Sequence, residues 1–205
     1  MIDTKTWAES HNIDIQDIPS PVEDYTEPYK KTAGEVASRI IILYGIIAAG
    51  HGYDREAIRQ WLVEQNIWNQ ASPNEQQFLL SPRIPKEDNS GTRWLQESQY
   101  ALLWAIQKVD HLGLPTETCD SIKLIDDIMP EFGGDVESFI STAELRPPME
   151  IRAEEERNRR IYYYSQQEGK EDEVPGDLIY GVLFQRYYSL SWLNTDSGWD
   201  DVDVG

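Results

Sequence analysis

The chain has 205 residues and is strongly acidic: 37 Asp and Glu stand against 18 Lys and Arg, giving a formal net charge of −19 and a pI near 4.4. Such a field repels nucleic-acid phosphates and anionic lipid, whose binding depends on clustered Lys and Arg, and steers basic partners toward the surface instead. With 40% hydrophobic residues, seven Trp and eleven Tyr, the composition is that of a folded domain with one sizeable core, and the lone Cys119 excludes an internal disulfide or a cysteine zinc cage.

Residues 1–31 carry Pro19, Pro21 and Pro28 among acids and show no sustained helical period, which predicts an extended acidic N-terminal arm (1–31) ahead of a single helical domain (32–205). No basic segment followed by an apolar one opens the chain, so no secretory signal is expected; with the single cysteine this points to the cytoplasm. The first helix starts at "TAGE", where Thr32 caps and Glu35 reaches back, and runs through the apolar stretch from Ile40 to Gly50. That stretch reads as a buried helix too short to cross a bilayer. Asp54 then caps "REAIRQWLVEQN". "SPNEQQFLL" repeats the start signal with Ser72, Pro73 and Glu75.

After a loop rich in Pro, Asn and Gly, a long helix is expected over "TRWLQESQYALLWAIQKV", ending before Gly113 and Pro115. Two shorter helices follow in "CDSIKLIDDIM" and "DVESFISTAEL". Pro147 and Pro148 introduce "MEIRAEEERNRRIYYYSQQ", and the last helix is "LIYGVLFQRYYSLSWLN", with Asp177 as its expected cap. No alternating strand pattern and no repeat at solenoid spacing occurs, so the fold class is all-α, a single multi-helix orthogonal bundle.

Several of these helices carry a charge inside an apolar stripe. Arg186 interrupts the stripe Ile179, Leu183, Leu190, Leu193; Glu97 interrupts Trp94, Ala101, Trp104; Arg39 borders Val36, Leu43, Ile46. Glu156 and Arg160 stand at ion-pair spacing on one face. A guanidinium does not lose its proton at working pH, so each buried one needs acceptors. A shared cluster of Arg39, Glu97, Glu156, Arg160, Arg186 and Asp200 is therefore expected, either as a structural ion-pair network or as a ligand pocket. Glu97, Glu156 and Asp200 are the candidate partners of Arg186. No catalytic residue is expected, since there is no Gly-rich phosphate loop and no HExxH pair, and the three histidines lie far apart. By the same absences, neither cofactor nor metal is expected.

The segments "EVASRIIILYGIIAAGHG", "WLQESQYALLWAI", "PPMEIRAEEERNRRIYYY" and "VLFQRYYSLSWL" with "WDDVD", in that order, resemble a bacterial family known as domain of unknown function 4272. The resemblance covers nearly everything after the arm. It implies a helical domain without an assigned activity, and a pattern that favours the positions of Glu35, Arg39, Trp94, Glu97, Trp104, Glu150, Arg160, Arg186, Trp192, Trp199 and Asp200. The chain departs from that pattern in its last helix, with Gln185, Tyr187 and Ser191 where the family tends to Glu, His and Asn. Two functional expectations follow. One is a non-enzymatic acidic protein-interaction module for a basic protein partner, immunity- or inhibitor-like, without nucleic-acid or membrane binding. The other is an enzyme or small-ligand-binding domain that uses the Glu/Arg/Asp cluster.

Overall fold

The computed structural model describes residues 4–15, 29–81, 88–168 and 177–204, and these form nine α-helices and no strand. In chain order they are α1 (Thr4–Ser10), α2 (Ala33–Gly50), α3 (Arg55–Glu64), α4 (Pro73–Leu80), α5 (Asp88–Ala105), α6 (Ser121–Asp127), α7 (Glu137–Ser141), α8 (Pro148–Glu168) and α9 (Tyr180–Leu193).

The starts of three helices are written in their first turns. At α2 and α4 the cap and the glutamate three residues on exchange hydrogen bonds, Thr32 with Glu35 and Ser72 with Glu75, and Pro73 occupies the first helical position of α4. At α3 the Asp54 carboxylate accepts from the Ala57 N–H. Thr32 also holds the Glu35 carboxyl below its usual range, because its backbone N–H and its hydroxyl both donate to the ionised form.

Helix α2 is the axis of the molecule. Every residue from Val36 to Ala49 is buried, so no face is left for water, as expected of a helix that is apolar all round. The whole helix has 18 residues and a mean hydropathy of 1.5, long and apolar enough to cross a membrane, which exceeds the shorter run read from the sequence. Its length here is covered by protein: α5 lies along it, and α3, α4 and α7 close the remaining faces. The backbones come close where Gly45 lets Ile58 approach; a Cβ there would stand 2.9 Å from the Ile58 methyl. Outward from α2 the long helices follow one another as α5, α9 and α8.

Two apolar clusters result. The larger joins α2, α3 and α5 with the C-terminal half of α9; the smaller joins Ala8, Ile13 and Ile15 to Ile161 and Tyr162 of α8 and to Leu183 and Tyr187 of α9.

Three expectations change. Residues 4–10 are helical rather than extended, because Thr4 and Ala8, one turn apart, bury themselves on the side of α8. The three prolines behind the extended reading lie outside the described residues. Asp177 does not cap α9: it has φ +61°, a left-handed turn, and the helix begins three residues later after Ile179, whose N–H donates to the Pro115 carbonyl at 2.7 Å. Helix α5 begins at Asp88, ahead of the expected Thr92, and ends at Ala105, where Gln107 turns left-handed at φ +64°.

Candidate functional site

The oddly placed charges resolve into pairs. Arg186, 2% exposed in the middle of α9, meets Glu97 of α5 at 3.4 Å, and its other end donates to the Gly113 carbonyl at 3.1 Å. Glu97 is equally enclosed, and its second oxygen accepts the Cys119 N–H at 2.5 Å. Arg39 of α2 meets Glu75 of α4 at 2.5 Å and the Gln70 carbonyl at 2.5 Å, with its guanidinium 5.7 Å from the Trp192 ring and 5.0 Å from that of Trp199. Arg160 lies 3.7 Å from Glu156 on α8 and donates to the Ile15 carbonyl at 2.9 Å.

Of the six expected residues, the structure thus brings together Glu97 with Arg186 and Glu156 with Arg160. Arg39 takes a partner that sequence reasoning had assigned only to capping. Asp200 reaches the same turn of α4 and accepts from the Asn74 N–H at 2.9 Å. The signal for Glu75 was its capping-box position, which fixes its carboxylate toward the neck of α4; that the same carboxylate also meets Arg39 depends on tertiary approach.

Arginines outside the expected set are also held internally. Arg146 donates to the carbonyls of Trp104 and Val109, and its guanidinium lies over the Trp104 ring at 4.9 Å. Arg157 pairs with Glu154 and covers Trp7 at 4.9 Å. These two arginines, Glu150, His11 and His111 line a cavity of ≈ 490 Å³ between α1 and α8.

The acids are distributed differently. The segment 110–144 contains nine carboxylates, Asp110, Glu117, Asp120, Asp126, Asp127, Glu131, Asp135, Glu137 and Glu144, against one lysine, Lys123, and no arginine. All nine carboxylate residues are exposed. Among them α6 turns two large apolar residues to solvent, Ile122 at 71% and Ile125 at 46%.

Beside this segment opens a cleft of ≈ 730 Å³, lined by His51 after α2, Arg93, Trp94, Gln96 and Glu97 of α5, and Thr118 and Ser121 at the start of α6. Glu97 forms its floor and is already neutralised by Arg186. Cys119, next to that floor, has its thiol pushed well up by burial and then by the Glu97 charge, so it holds its proton and is a poor nucleophile. Among the described residues no three His, Cys, Asp or Glu side chains converge to hold a metal ion.

The sequence profile of a family described as Domain of unknown function (DUF4272) matches residues 3–202. No curated protein and no solved structure matches the chain.

Proposed function

Because the chain belongs to the DUF4272 family, which assigns no activity, we propose from its own surface that it is a binding module for a basic protein partner, docked on the segment 110–144. The observation that carries this reading is the contrast between the two signs of charge. Many of the arginines turn inward onto carbonyls, carboxylates and indole rings, while the nine acids of this segment all face water. An acidic face steers a basic protein to it and fixes its orientation, and Ile122 and Ile125 supply apolar area for contact once water is expelled.

The buried pairs contribute rigidity. Each guanidinium meets a carboxylate within the fold, so recognition runs through the exposed acids rather than through Arg39, Arg160 or Arg186. This favours the interaction reading over an enzyme built on that set.

Capture from native cells tests the proposal. A basic protein should be recovered at near 1:1 stoichiometry, and raising the salt concentration should weaken its binding at least about tenfold. The double substitution Asp126→Lys with Asp127→Lys should abolish capture while leaving the circular dichroism spectrum unchanged. A partner whose binding ignores both salt and this reversal would overturn the proposal, as would the absence of any stoichiometric partner.

A further inference from the structure

Trp94 is the one exposed residue among the seven tryptophans, at 37% of its surface. Its ring is nonetheless fixed. A Cβ built on Gly181 of α9 would lie 2.6, 2.6 and 2.7 Å from three consecutive atoms of the six-membered ring. Near-equal distances to three ring atoms mean an approach over the face, since an edge-on approach would leave two of them clearly farther away. One face of the indole is therefore laid against the backbone of α9 at a residue that has no side chain to obstruct it, and the rest of the ring lines the ≈ 730 Å³ cleft.

The rim of that cleft is polar. Among the described residues, no partner engages the side chains of His51, Arg93, Gln96, Thr118 or Ser121, and together they offer both donors and acceptors. The charges around the cleft are mixed in sign. Among the described residues the one carboxylate in its lining, Glu97, is already paired with Arg186, so no free charge in the floor is set to bind an ion. A cation would meet Arg93, and an anion would meet Glu117 and Asp120, which flank the lining residues, within a molecule of net charge −19.

We propose that this cleft binds a neutral polyhydroxylated ring, a sugar residue, with its C–H face stacked on Trp94 and its hydroxyls meeting the polar rim. One aromatic wall opposite hydrogen-bonding groups fits a ring that is apolar on one face and polar around its edge. A flat heteroaromatic ring would press its second face against those polar groups. The size lies within the range of small-molecule sites, roughly 300–1,000 Å³, and aromatic faces supply large contact area to such rings.

The test uses the full chain labelled with ¹⁵N, observing the indole N–H signals while glucose, N-acetylglucosamine, maltose or cellobiose is added. The Trp94 signal, identified by its loss in Trp94→Phe, should shift saturably with at least one of them. Gly181→Ala, which pushes the indole off its seat, and Arg93→Gln should each weaken that binding by at least about tenfold. Raising the salt concentration or introducing Asp126→Lys with Asp127→Lys should leave it unchanged, which separates this site from the docking face. The inference is overturned if none of the four sugars shifts the Trp94 signal saturably, or if the two substitutions leave binding intact. It is equally overturned if glucose 6-phosphate or glucosamine binds more tightly than the neutral sugars, since the site would then select charge.

Discussion

Around α2 the buried set is mainly aliphatic, with tryptophans at its edge, and charge enters as pairs that join helices distant in sequence: Arg39 with Glu75, and Arg186 with Glu97. Around the end of α8 the buried set is rich in tyrosine. Tyr162 makes ring contacts with Tyr163, Tyr180 and Tyr187 at 5.8, 5.3 and 5.7 Å, and its hydroxyl is 2.9 Å from that of Tyr180. The ion pair there, Glu156 with Arg160, lies one turn apart on a single helix. In the first region a carboxylate is what allows an arginine into the core and so fixes which helices meet. In the second, rings hold the helices, and the ion pair lies within one of them while Arg160 ties that helix to the Ile15 carbonyl.

The sharpest way to break this contrast is to remove one carboxylate from each region. Glu97→Leu leaves Arg186 buried and without its carboxylate and should cost about 3–5 kcal/mol in urea denaturation, whereas Glu156→Leu should cost less, about 1–2 kcal/mol, because Arg160 keeps the Ile15 carbonyl as an acceptor. Adding Arg186→Met to Glu97→Leu should recover most of the loss. Equal costs for the two single variants would dissolve the distinction. Next in size, Ile41→Ala in the aliphatic core should cost about 2–5 kcal/mol through the cavity it leaves. Tyr162→Phe, which removes only the hydroxyl contact to Tyr180, should cost about 1 kcal/mol.

The smallest effect at neutral pH is nil and grows only in alkali. Burial, then the neighbouring Tyr163, pushes Tyr187 up to about 12; burial, then Asp200, pushes Tyr188 up to about 12. The folded state thus binds these protons more tightly than the unfolded chain. Their contribution is fully present below pH 10, the ordinary tyrosine value, and is lost as the pH rises from there toward 12. Denaturation curves at stepped alkaline pH should show stability declining over that window. Tyr187→Phe should flatten the decline; an unchanged slope would show that Tyr187 titrates normally.

Much of this was legible from local chemistry. The capping boxes at Thr32 and Ser72 depend on residues three apart, and the helical phase exposed Arg186 as a cation inside an apolar stripe with Glu97 among its candidate partners. What stayed hidden depends on distant approach. Nothing near Trp94 announces that its ring lies on Gly181, eighty-seven positions along the chain. The left-handed turn at Asp177 made a favourable capping residue fall short of the helix it precedes, and the helicity of α1 depends on α8 covering it.

Glu75 performs two tasks with one oxygen: it closes the capping box on the Ser72 N–H at 2.7 Å and receives Arg39 at 2.5 Å. Helix starts ordinarily fray, and their amides exchange with solvent quickly. Here the first turn of α4 cannot loosen without leaving a guanidinium stranded between two tryptophans. The exchange rate of the Glu75 amide, a group at the edge of a short helix, should therefore follow the opening of the central core, making it a local reporter of global unfolding.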